Sequence, residues 1–271
     1  MKIFKDKHIL QKEISKTKGI SFVPTMGGLH KGHISLIKQS KKSKFKTLVS
    51  IFVNPKQFNK KSDYRSYPRS TKKDLKKLKN LKVDYLYIPT FKDIYGFKPK
   101  EKVFLDKFSK KLCGRFRRGH FEGVLNVVNR FLEIIKPRYV YLGKKDYQQL
   151  YLIKKHVEKR KIKSKIIECK TIRENNGVAL STRNSKLNDS EMKIASKIYY
   201  YLYNLKKSIK KNYNLFNANR IKKDLRDLGA RKIDYLENYN IENFKKINRH
   251  NKRFNIFIAY YIKNTRLIDN I

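Results

Sequence analysis

Short apolar runs alternate with longer amphipathic stretches over the first two thirds of the chain. The runs have the length of buried strands, whereas the stretches between them carry apolar residues three and four positions apart, which indicates helices. Strands are predicted at Ile20–Val23, Thr47–Val53, Val83–Ile88, Tyr139–Leu142 and Ile166–Cys169. Helices are predicted at His33–Lys41, Thr71–Leu81, Phe121–Lys136 and Tyr147–Lys159. Strand and helix in repetition predict a parallel sheet with helices on both faces.

The pattern changes after about residue 175. Two helical stretches are followed by two strand-like runs, at Asp189–Lys210, Phe216–Leu228, Lys232–Tyr239 and Phe254–Ile262. We therefore predict an α/β fold with a Rossmann-like parallel-sheet domain at residues 1–174 and a smaller α+β domain at residues 175–271. The segment Arg173–Asn176, with Gly177, is the predicted hinge.

Composition adds a large positive charge. The 271 residues carry a formal net charge of +46, which favours nucleic acid or an anionic membrane surface as a partner. Lysine is spread along the whole chain, however, and Asn, Ile and Tyr are also abundant, as an AT-rich genome would produce. We therefore expect no specific nucleic-acid partner. The first residues lack the apolar core of a signal peptide, no apolar run is long enough for a membrane span, and Cys113 and Cys169 stand apart, so a cytoplasmic protein without membrane contact is expected.

The first predicted strand runs into Pro24-Thr25-Met26-Gly27-Gly28-Leu29-His30-Lys31-Gly32-His33. A glycine turn that opens a helix is a typical phosphate site, because backbone N–H groups and the helix dipole point at the anion. His30 and His33 fall on one face of the first helical turn and can reach the same ligand. A P-loop is excluded because His33 and Ile34 stand where its Lys and Ser/Thr would be. The alternative is a tight turn with two surface histidines.

Polar residues also follow other predicted strands. Asn54 and Gln57 place two amides after the second strand, which suits a ligand with hydroxyls and a carboxylate. Gly143-Lys144-Lys145-Asp146-Tyr147-Gln148-Gln149 follows the strand at 139–142, and Arg117-Arg118-Gly119-His120-Phe121 opens a helix. A loop with two hydroxyls and an arginine, able to close over a polyphosphate, lies at Leu180-Ser181-Thr182-Arg183-Asn184. Ligands of parallel α/β sheets bind beyond the carboxyl ends of the strands, where most of these motifs fall.

Together these strings closely resemble the pantothenate synthetase family, within the nucleotidyltransferases that carry a HIGH motif. The resemblance runs in family order from residue 20 to the C-terminal Thr265-Arg266-Leu267-Ile268-Asp269-Asn270-Ile271. This sequence departs from the family pattern at Lys31, Arg118, Lys144 and Thr182.

The resemblance implies ligation in two steps. The carboxylate of pantoate attacks the α-phosphate of ATP and releases pyrophosphate, and the amine of β-alanine then displaces AMP from pantoyl adenylate. It also implies Mg²⁺, a homodimer, and a C-terminal domain that closes over the ATP site.

The resemblance assigns residues by role. The implied catalytic residues are His30, His33, Lys145 and Arg183, with no protein ligand to a metal. The implied ATP-binding residues are Met26, Gly27, Gly28, Leu29, His30, Lys31, Gly32, His33, Gly143, Lys144, Lys145, Asp146, Ile172, Leu180, Ser181, Thr182 and Arg183. The implied pantoate and β-alanine residues are Asn54, Gln57 and Gln149, with Arg117 and His120 in support.

Two other functions remain open at this stage. A related HIGH-motif nucleotidyltransferase could use the same histidines with a different acceptor, although the segments around Asn54, Gln57 and Gln149 argue against it. A basic nucleic-acid-binding protein would instead need clustered basic residues with exposed aromatic side chains.

Overall fold

The structure, a computed structural model, describes residues 1–59, 61–247 and 253–271. The chain divides into two compact units, Met1–Lys170 and Thr171–Ile271. This division lies four residues before the domain boundary expected from the sequence.

The first unit is built on six parallel strands. They are β1 (Lys2–Phe4), β2 (Ile20–Thr25), β3 (Lys46–Ile51), β4 (Tyr85–Tyr87), β5 (Tyr139–Gly143) and β6 (Lys165–Cys169). The connecting helices are α1 (Lys7–Ile14), α2 (Lys31–Ser40), α3 (Lys61–Arg65), α4 (Thr71–Asn80), α5 (Phe91–Tyr95), α6 (Cys113–Phe116), α7 (His120–Ile135) and α8 (Tyr147–Lys159). Three short 3₁₀ turns cover Pro55–Gln57, Lys107–Lys110 and Lys144–Asp146.

The strand order is β1-β4-β3-β2-β5-β6, with every neighbouring pair parallel. From β2 the chain first builds outwards through β3 and β4, and later returns to add β5 and β6 on the other side of β2. The strand order therefore reverses between β2 and β5, and the crevice beyond the carboxyl ends of these strands is where such sheets bind ligands. The predicted α/β parallel sheet is confirmed.

Helix α7 supplies much of the core of this unit. Twelve of its sixteen residues are buried, and the ring of Phe131 lies 5.4 Å from that of Phe22 on β2 and 6.2 Å from that of Tyr87 on β4. The left-handed backbone of Gly119 (φ +76°) precedes the helix, and Pro137 follows it, as the sequence predicts.

The second unit packs two helices with an antiparallel sheet. Helices α9 (Asp189–Lys211) and α10 (Ala218–Asp227) precede β7 (Lys232–Asn240), β8 (Phe254–Ile262) and β9 (Thr265–Asn270). The sheet order is β7-β8-β9, and one face of it is buried with α9 and α10 in a common apolar core that includes Ala195, Ile198, Leu202, Ile221, Leu225, Ile256 and Ile258. The predicted α+β architecture is confirmed.

The elements absent from the sequence prediction are short. They are β1, α1, α3, α5, α6 and β9. Segments of three to eight residues show too few repeats of a period to be recognised, and in β9 the two apolar residues, Leu267 and Ile268, are adjacent and show no alternation. Among the described helices, none is long and apolar enough to cross a membrane.

Candidate functional site

Three segments of the first unit converge at the carboxyl ends of neighbouring strands. The glycine turn (Met26–His33) follows β2, the amide turn (Asn54–Gln57) follows β3, and Gly143–Gln149 closes β5 and begins α8. Strand β2 pairs with β3 on one side and with β5 on the other. The sheet therefore brings together three of the four motifs that the sequence predicts for this unit, and Arg117–Phe121 is the fourth.

Two successive glycines give the glycine turn its shape. Gly27 and Gly28 have φ of +79° and +63°, which side chains with a Cβ adopt only at a cost in strain. A Cβ on Gly27 would also lie 3.1 Å from Ile51 and 3.2 Å from the Asp74 carboxylate. The backbone angle therefore favours glycine at both positions, and at Gly27 the limited space favours it as well.

Helix α4 holds this turn through two side chains. Asp74, which is 1% exposed, accepts hydrogen bonds from the N–H groups of Gly28 and Leu29, both at 2.8 Å. Lys77, three residues later on the same helix, donates to the carbonyl of Leu29 at 2.5 Å. The anion that occupies the glycine turn is thus a carboxylate of the protein itself.

The two histidines cap helix α2. His30 is the N-cap and its Nδ1 accepts from the N–H of Gly32 at 3.1 Å, while Nδ1 of His33 accepts from the N–H of His30 at 3.4 Å. The helix begins two residues earlier than predicted because His30 is its cap. With Nδ1 of both rings occupied as an acceptor, each neutral imidazole carries its proton on Nε2 and can donate from there.

Both imidazoles are held neutral. Burial, and then the charge of Lys145, lowers the pKa of His30 to about 4. Burial, and then the neighbouring His30, lowers the pKa of His33 to about 3. Charges of Lys77 and Lys145 act in the same direction at both rings, whereas Asp146 opposes them. Both rings can therefore donate a hydrogen bond from Nε2 as neutral groups, and the positive charges next to them are those of lysines.

One expectation about this turn differs from the structure. The N–H groups of Gly27, Gly28, Leu29, His30 and Gly32 donate to side chains of the same unit. These backbone donors are therefore engaged within the unit and are not free to bind a phosphate. The side chains that surround the turn offer the donors instead.

The amide turn meets the glycine turn directly. Nε2 of Gln57 donates to the sulfur of Met26 at 2.8 Å. The backbone carbonyl of Gln57 is fixed from α7, because Nδ1 of His120 donates to it at 2.8 Å while Arg117 donates to Nε2 of the same histidine at 2.9 Å. The supporting position predicted for Arg117 and His120 is thus a backbone anchor. Asn54 is 1% exposed, so it lies behind Gln57 rather than beside it at the surface.

In the segment after β5, the two adjacent lysines have different partners, and the two adjacent glutamines differ in the hydrogen bonding of their side-chain amides. Nζ of Lys145 lies 3.3 Å from the carboxylate of Asp146, close to the histidines, whereas Nζ of Lys144 lies 3.3 Å from Glu168 on β6. The side-chain amide of Gln148 is fully hydrogen-bonded within the unit. Its Oε1 accepts from the N–H of Cys113, and its Nε2 donates to the carbonyls of Phe108 and Lys111. Gln149 is half-buried, and its side-chain amide makes no hydrogen bond to any described residue. Of the adjacent glutamines, the one that the sequence predicts to bind ligand is the one with an uncommitted amide.

The remaining predicted ATP residues belong to the second unit. Leu180 is bonded through its N–H to the carbonyl of Ile172 at 3.0 Å, and Ser181 caps a 3₁₀ turn by accepting from the N–H of Arg183 at 3.2 Å. The base of this loop is fixed by Arg173, whose two terminal nitrogens lie 2.6 and 2.9 Å from the carboxylate oxygens of Asp269. Thr182 starts the 3₁₀ turn, and the side chains of residues 181–184 are half-buried.

Asp74, Lys77 and Tyr95 take part in this arrangement without having been predicted; the hydroxyl of Tyr95 donates to Oδ1 of Asn54 at 2.9 Å. Asp74 had a signal in the sequence: it stands four residues before Leu78 and so lies on the buried face of an otherwise basic helix. Lys77 and Tyr95 had none, because lysine and tyrosine are frequent throughout this chain.

Comparisons with known proteins agree along the full chain. The family model described as pantoate-beta-alanine ligase matches residues 2–271. The chain belongs to the pantoate–β-alanine ligase family. The pantothenate synthetase of Thermosipho africanus is 38% identical over 273 residues, which cover 100% of this chain and 98% of that protein. That of Francisella tularensis subsp. mediasiatica is 40% identical over 269 residues, 97% of this chain and 93% of that protein.

Solved structures of the family show the same fold. The pantoate-beta-alanine ligase of Francisella tularensis, complexed with beta-gamma ATP and beta-alanine, has a TM-score of 0.83 and 38% identity, covering 100% of this chain and 97% of that one. The pantothenate synthetase of Thermus thermophilus has a TM-score of 0.89 and 28% identity, covering 100% and 99%. Because the family is shown over the whole length, the chain is a ligase of pantothenate biosynthesis.

Proposed function

We propose that this chain condenses pantoate with β-alanine through a pantoyl adenylate. The ATP-dependent ligation itself comes with membership of the family. In the first step an oxygen of the pantoate carboxylate bonds to the α-phosphorus of ATP and pyrophosphate leaves. In the second step the amine of β-alanine bonds to the acyl carbon, AMP leaves, and the amine gives up a proton.

One contact supports this order of events most directly. The Gln57–Met26 hydrogen bond joins the turn predicted for pantoate to the turn predicted for ATP. An acyl adenylate can form only where a carboxylate reaches the α-phosphorus, so the two binding segments must be adjacent. A protein that bound the nucleotide and the acid without joining them would not need the two segments to be adjacent.

The described side chains suit positioning and charge stabilisation, without a protein nucleophile. We assign the Nε2–H groups of His30 and His33 as neutral donors to the phosphates, and Lys145 as the cation that offsets the charge of the departing pyrophosphate. Lys145 keeps only 19% of its side chain exposed, so its charge acts with little screening by water. Gln57 and Gln149 are assigned to pantoate and β-alanine.

The assignment of the loop in the second unit follows from its chemistry. Ser181, Thr182 and Arg183 offer two hydroxyls and a guanidinium on a 3₁₀ turn whose base is anchored by the Arg173–Asp269 ion pair. The guanidinium of an arginine can bind the oxygens of a phosphate in bidentate fashion. We assign Arg183 to the phosphates of ATP, and Ile172 and Leu180 to the nucleotide.

Magnesium fits this site as a companion of ATP. The described residues contain no group of three or more His, Cys, Asp or Glu side chains able to hold a metal ion. Mg²⁺ is usually bound through one or two carboxylates together with substrate phosphates and water. Asp146, with 48% of its side chain exposed next to Lys145, is the carboxylate that would share the ion, which supplies positive charge to the triphosphate.

The proposal extends to a homodimer, as the family resemblance implies, and to the cytoplasm. Cys113 and Cys169 are both buried as thiols, which suits a reducing compartment. Sedimentation velocity of the purified protein at micromolar concentration gives the assembly state, and a single species with the mass of one chain contradicts the dimer.

Labelled pyrophosphate exchange tests the two-step reaction. With Mg²⁺, ATP and pantoate present and β-alanine absent, label enters ATP because the first step is reversible on the enzyme. With β-alanine alone no label enters, since its amine reacts only with the adenylate. Exchange that requires β-alanine, or that proceeds without pantoate, rules out this order of steps.

A further inference from the structure

Asn54 makes within the protein every hydrogen bond that its side chain can make. Its Nδ2 donates to the carbonyl of Gly123 at 3.0 Å and to Oε1 of Gln57 at 3.2 Å. Its Oδ1 accepts from the N–H of Lys56 at 3.2 Å and from the hydroxyl of Tyr95 at 2.9 Å. A side-chain amide has two donor hydrogens and two acceptor lone pairs, so none is left for a ligand.

Two backbone groups fix which way this amide points. The carbonyl of Gly123 can only accept, so it requires the nitrogen of Asn54, and the N–H of Lys56 can only donate, so it requires the oxygen. The close approach of α7 makes the arrangement rigid, because a Cβ on Gly123 would lie 2.1 Å from the carbonyl oxygen of Lys56. The two backbone groups therefore decide which end of the amide is the donor, and the Tyr95 hydroxyl, 2.9 Å from Oδ1, holds the amide in place.

The orientation of Gln57 follows from that of Asn54. Because Nδ2 of Asn54 can only donate, Gln57 turns its oxygen towards it, and the NH₂ group of Gln57 faces the glycine turn. There it rests against the thioether of Met26, a weak acceptor that an oxygen ligand displaces at little cost. Gln57 thus presents a donor, held ready, at the meeting point of the two turns.

Tyr95, the last residue of α5, begins this chain of hydrogen bonds, because its hydroxyl donates to Asn54 on the side away from Gln57. Its ring lies 4.2 Å from Nζ of Lys56 and 5.0 Å from the guanidinium of Arg130. Burial raises the pKa of the Tyr95 phenol to about 12, although Arg130 and Asn54 act to lower it, so the hydroxyl keeps its proton and can donate throughout the neutral range. Nε and Nη1 of Arg130 are buried with no hydrogen-bond partner among the described residues. The guanidinium lies instead against the rings of Tyr95 and Phe97.

We propose that Tyr95 and Asn54 are positioning residues that fix Gln57 as a donor to a substrate carboxylate oxygen. This rests on the proposed function, since it concerns the acid that binds at the amide turn. The carboxylate belongs either to pantoate or to β-alanine, and the two are separated by their own Michaelis constants. Asn54 acts through Gln57 and does not touch the ligand.

The first test removes the Tyr95 hydroxyl. Tyr95→Phe should raise the KM of the acid that Gln57 binds about tenfold, the usual effect of losing one hydrogen bond, with kcat and the KM for ATP changed less than threefold. Tyr213→Phe is the matched control, because it deletes a hydroxyl that donates at the same 2.9 Å to a carbonyl in the second unit. In a Gln57→Ala background, Tyr95→Phe should have no further effect on that KM. If the effects of the two substitutions are additive, Tyr95 does not act through Gln57, and the proposed relay from Tyr95 through Asn54 to Gln57 is wrong.

The second test reverses the polarity of Gln57. Gln57→Glu replaces the donor with a negatively charged acceptor of the same size, so the KM for the carboxylate should rise more than in Gln57→Ala. If Gln57 instead accepts from a substrate hydroxyl, Gln57→Glu will bind better than Gln57→Ala, and the proposal is wrong. Pyrophosphate exchange without β-alanine reports on pantoate alone, and the full reaction reports on β-alanine.

A spectroscopic readout separates this proposal from the proposed function. In ligand-free protein, Tyr95→Phe should shift the side-chain NH₂ resonances of both Asn54 and Gln57, and Tyr213→Phe should leave them in place. Unmoved Gln57 resonances contradict the relay whatever the activity. If the unaltered protein shows no pantoate-dependent exchange while the resonances respond, the assigned reaction fails and the relay stands as a structural device without its carboxylate ligand.

Discussion

Asp74→Asn should weaken ATP binding while preserving the fold. Asparagine has nearly the shape of aspartate, but its single oxygen can serve only one of the two N–H groups, of Gly28 and Leu29, that the carboxylate bonds at 2.8 Å. The other N–H then faces an NH₂ group. Losing one hydrogen bond to a charged acceptor and leaving a buried N–H unmet together cost about 2–3 kcal/mol.

This cost acts on the glycine turn alone. Because 1.4 kcal/mol is a factor of ten in an equilibrium, about 2–3 kcal/mol lowers the ratio of ordered to disordered turn by roughly 30- to 150-fold. If the turn is almost fully ordered in the unaltered protein, a large part of the population stays ordered after this loss. We therefore expect the KM for ATP to rise about 10- to 100-fold, less than the full change in the ratio. The KM for pantoate should rise much less, since Gln57 is anchored from α7.

Pyrophosphate exchange at saturating pantoate, measured against ATP concentration, gives the value. Asp6→Asn is the control, because Asp6 also accepts two backbone N–H groups, at 2.8 and 2.9 Å, but uses one oxygen for both and caps α1 away from the turn. It makes the same change in net charge, and Asn is an equally good N-cap. An Asp74→Asn protein that is folded and has the KM for ATP of the unaltered protein would show that the carboxylate does not set the turn.

Three further predictions concern the same unit. His33→Ala should lower kcat by about a hundredfold or more with the circular-dichroism spectrum unchanged, as for loss of one preorganised donor; near-normal turnover would make His33 a turn residue. The imidazole resonances of His30 and His33 should stay in their neutral positions from pH 8 to pH 5. Since their folded-state pKa values of about 4 and about 3 lie below the ordinary 6.5, the unfolded chain binds more protons in between, so urea midpoints should fall as the pH drops below 6.5 towards 3; a midpoint that rises on acidification contradicts the neutral assignment. Gly123→Ala should lower both thermal stability and pantoate affinity despite its better helix propensity, because its Cβ would lie 2.1 Å from the Lys56 carbonyl; full activity would show that α7 can move.

The long elements of the fold were predictable because each carries enough repeats of one period. Helix α8 was predicted with its observed ends at Tyr147 and Lys159, and β8 with its ends at Phe254 and Ile262. Ends shifted by two residues where a side chain decides them, as at α2, where His30 is the cap. The edge strand β1 was missed because three residues, two of them exposed, contain no alternation to detect.

The candidate site was predictable only where its residues follow strand ends. His30, Gln57 and Lys145 all come after neighbouring parallel strands, so topology alone places them at one edge of the sheet. Asp74 and Tyr95 reach the same edge from helices 46 and 41 residues away from the groups they bond, Gly28 and Asn54. No period along the sequence encodes such a pairing, and in a chain with 18 tyrosines a single one carries no signal.

The arrangement around the glycine turn also explains why the net charge of +46 says little about function. Dispersed lysines raise the potential everywhere and attract any anion, which affects encounter rates but does not select a ligand. Selection requires charges whose positions are fixed, and two lysines meet this condition here: Lys77, bonded to the carbonyl of Leu29, and Lys145, mostly buried beside Asp146. Burial is the main cause of the lowered pKa values of His30 and His33, and both lysines act in the same direction. Since the buried Asp74 carboxylate accepts from the N–H groups of Gly28 and Leu29, we expect the binding of phosphate to depend on these side chains and not on the backbone of the turn.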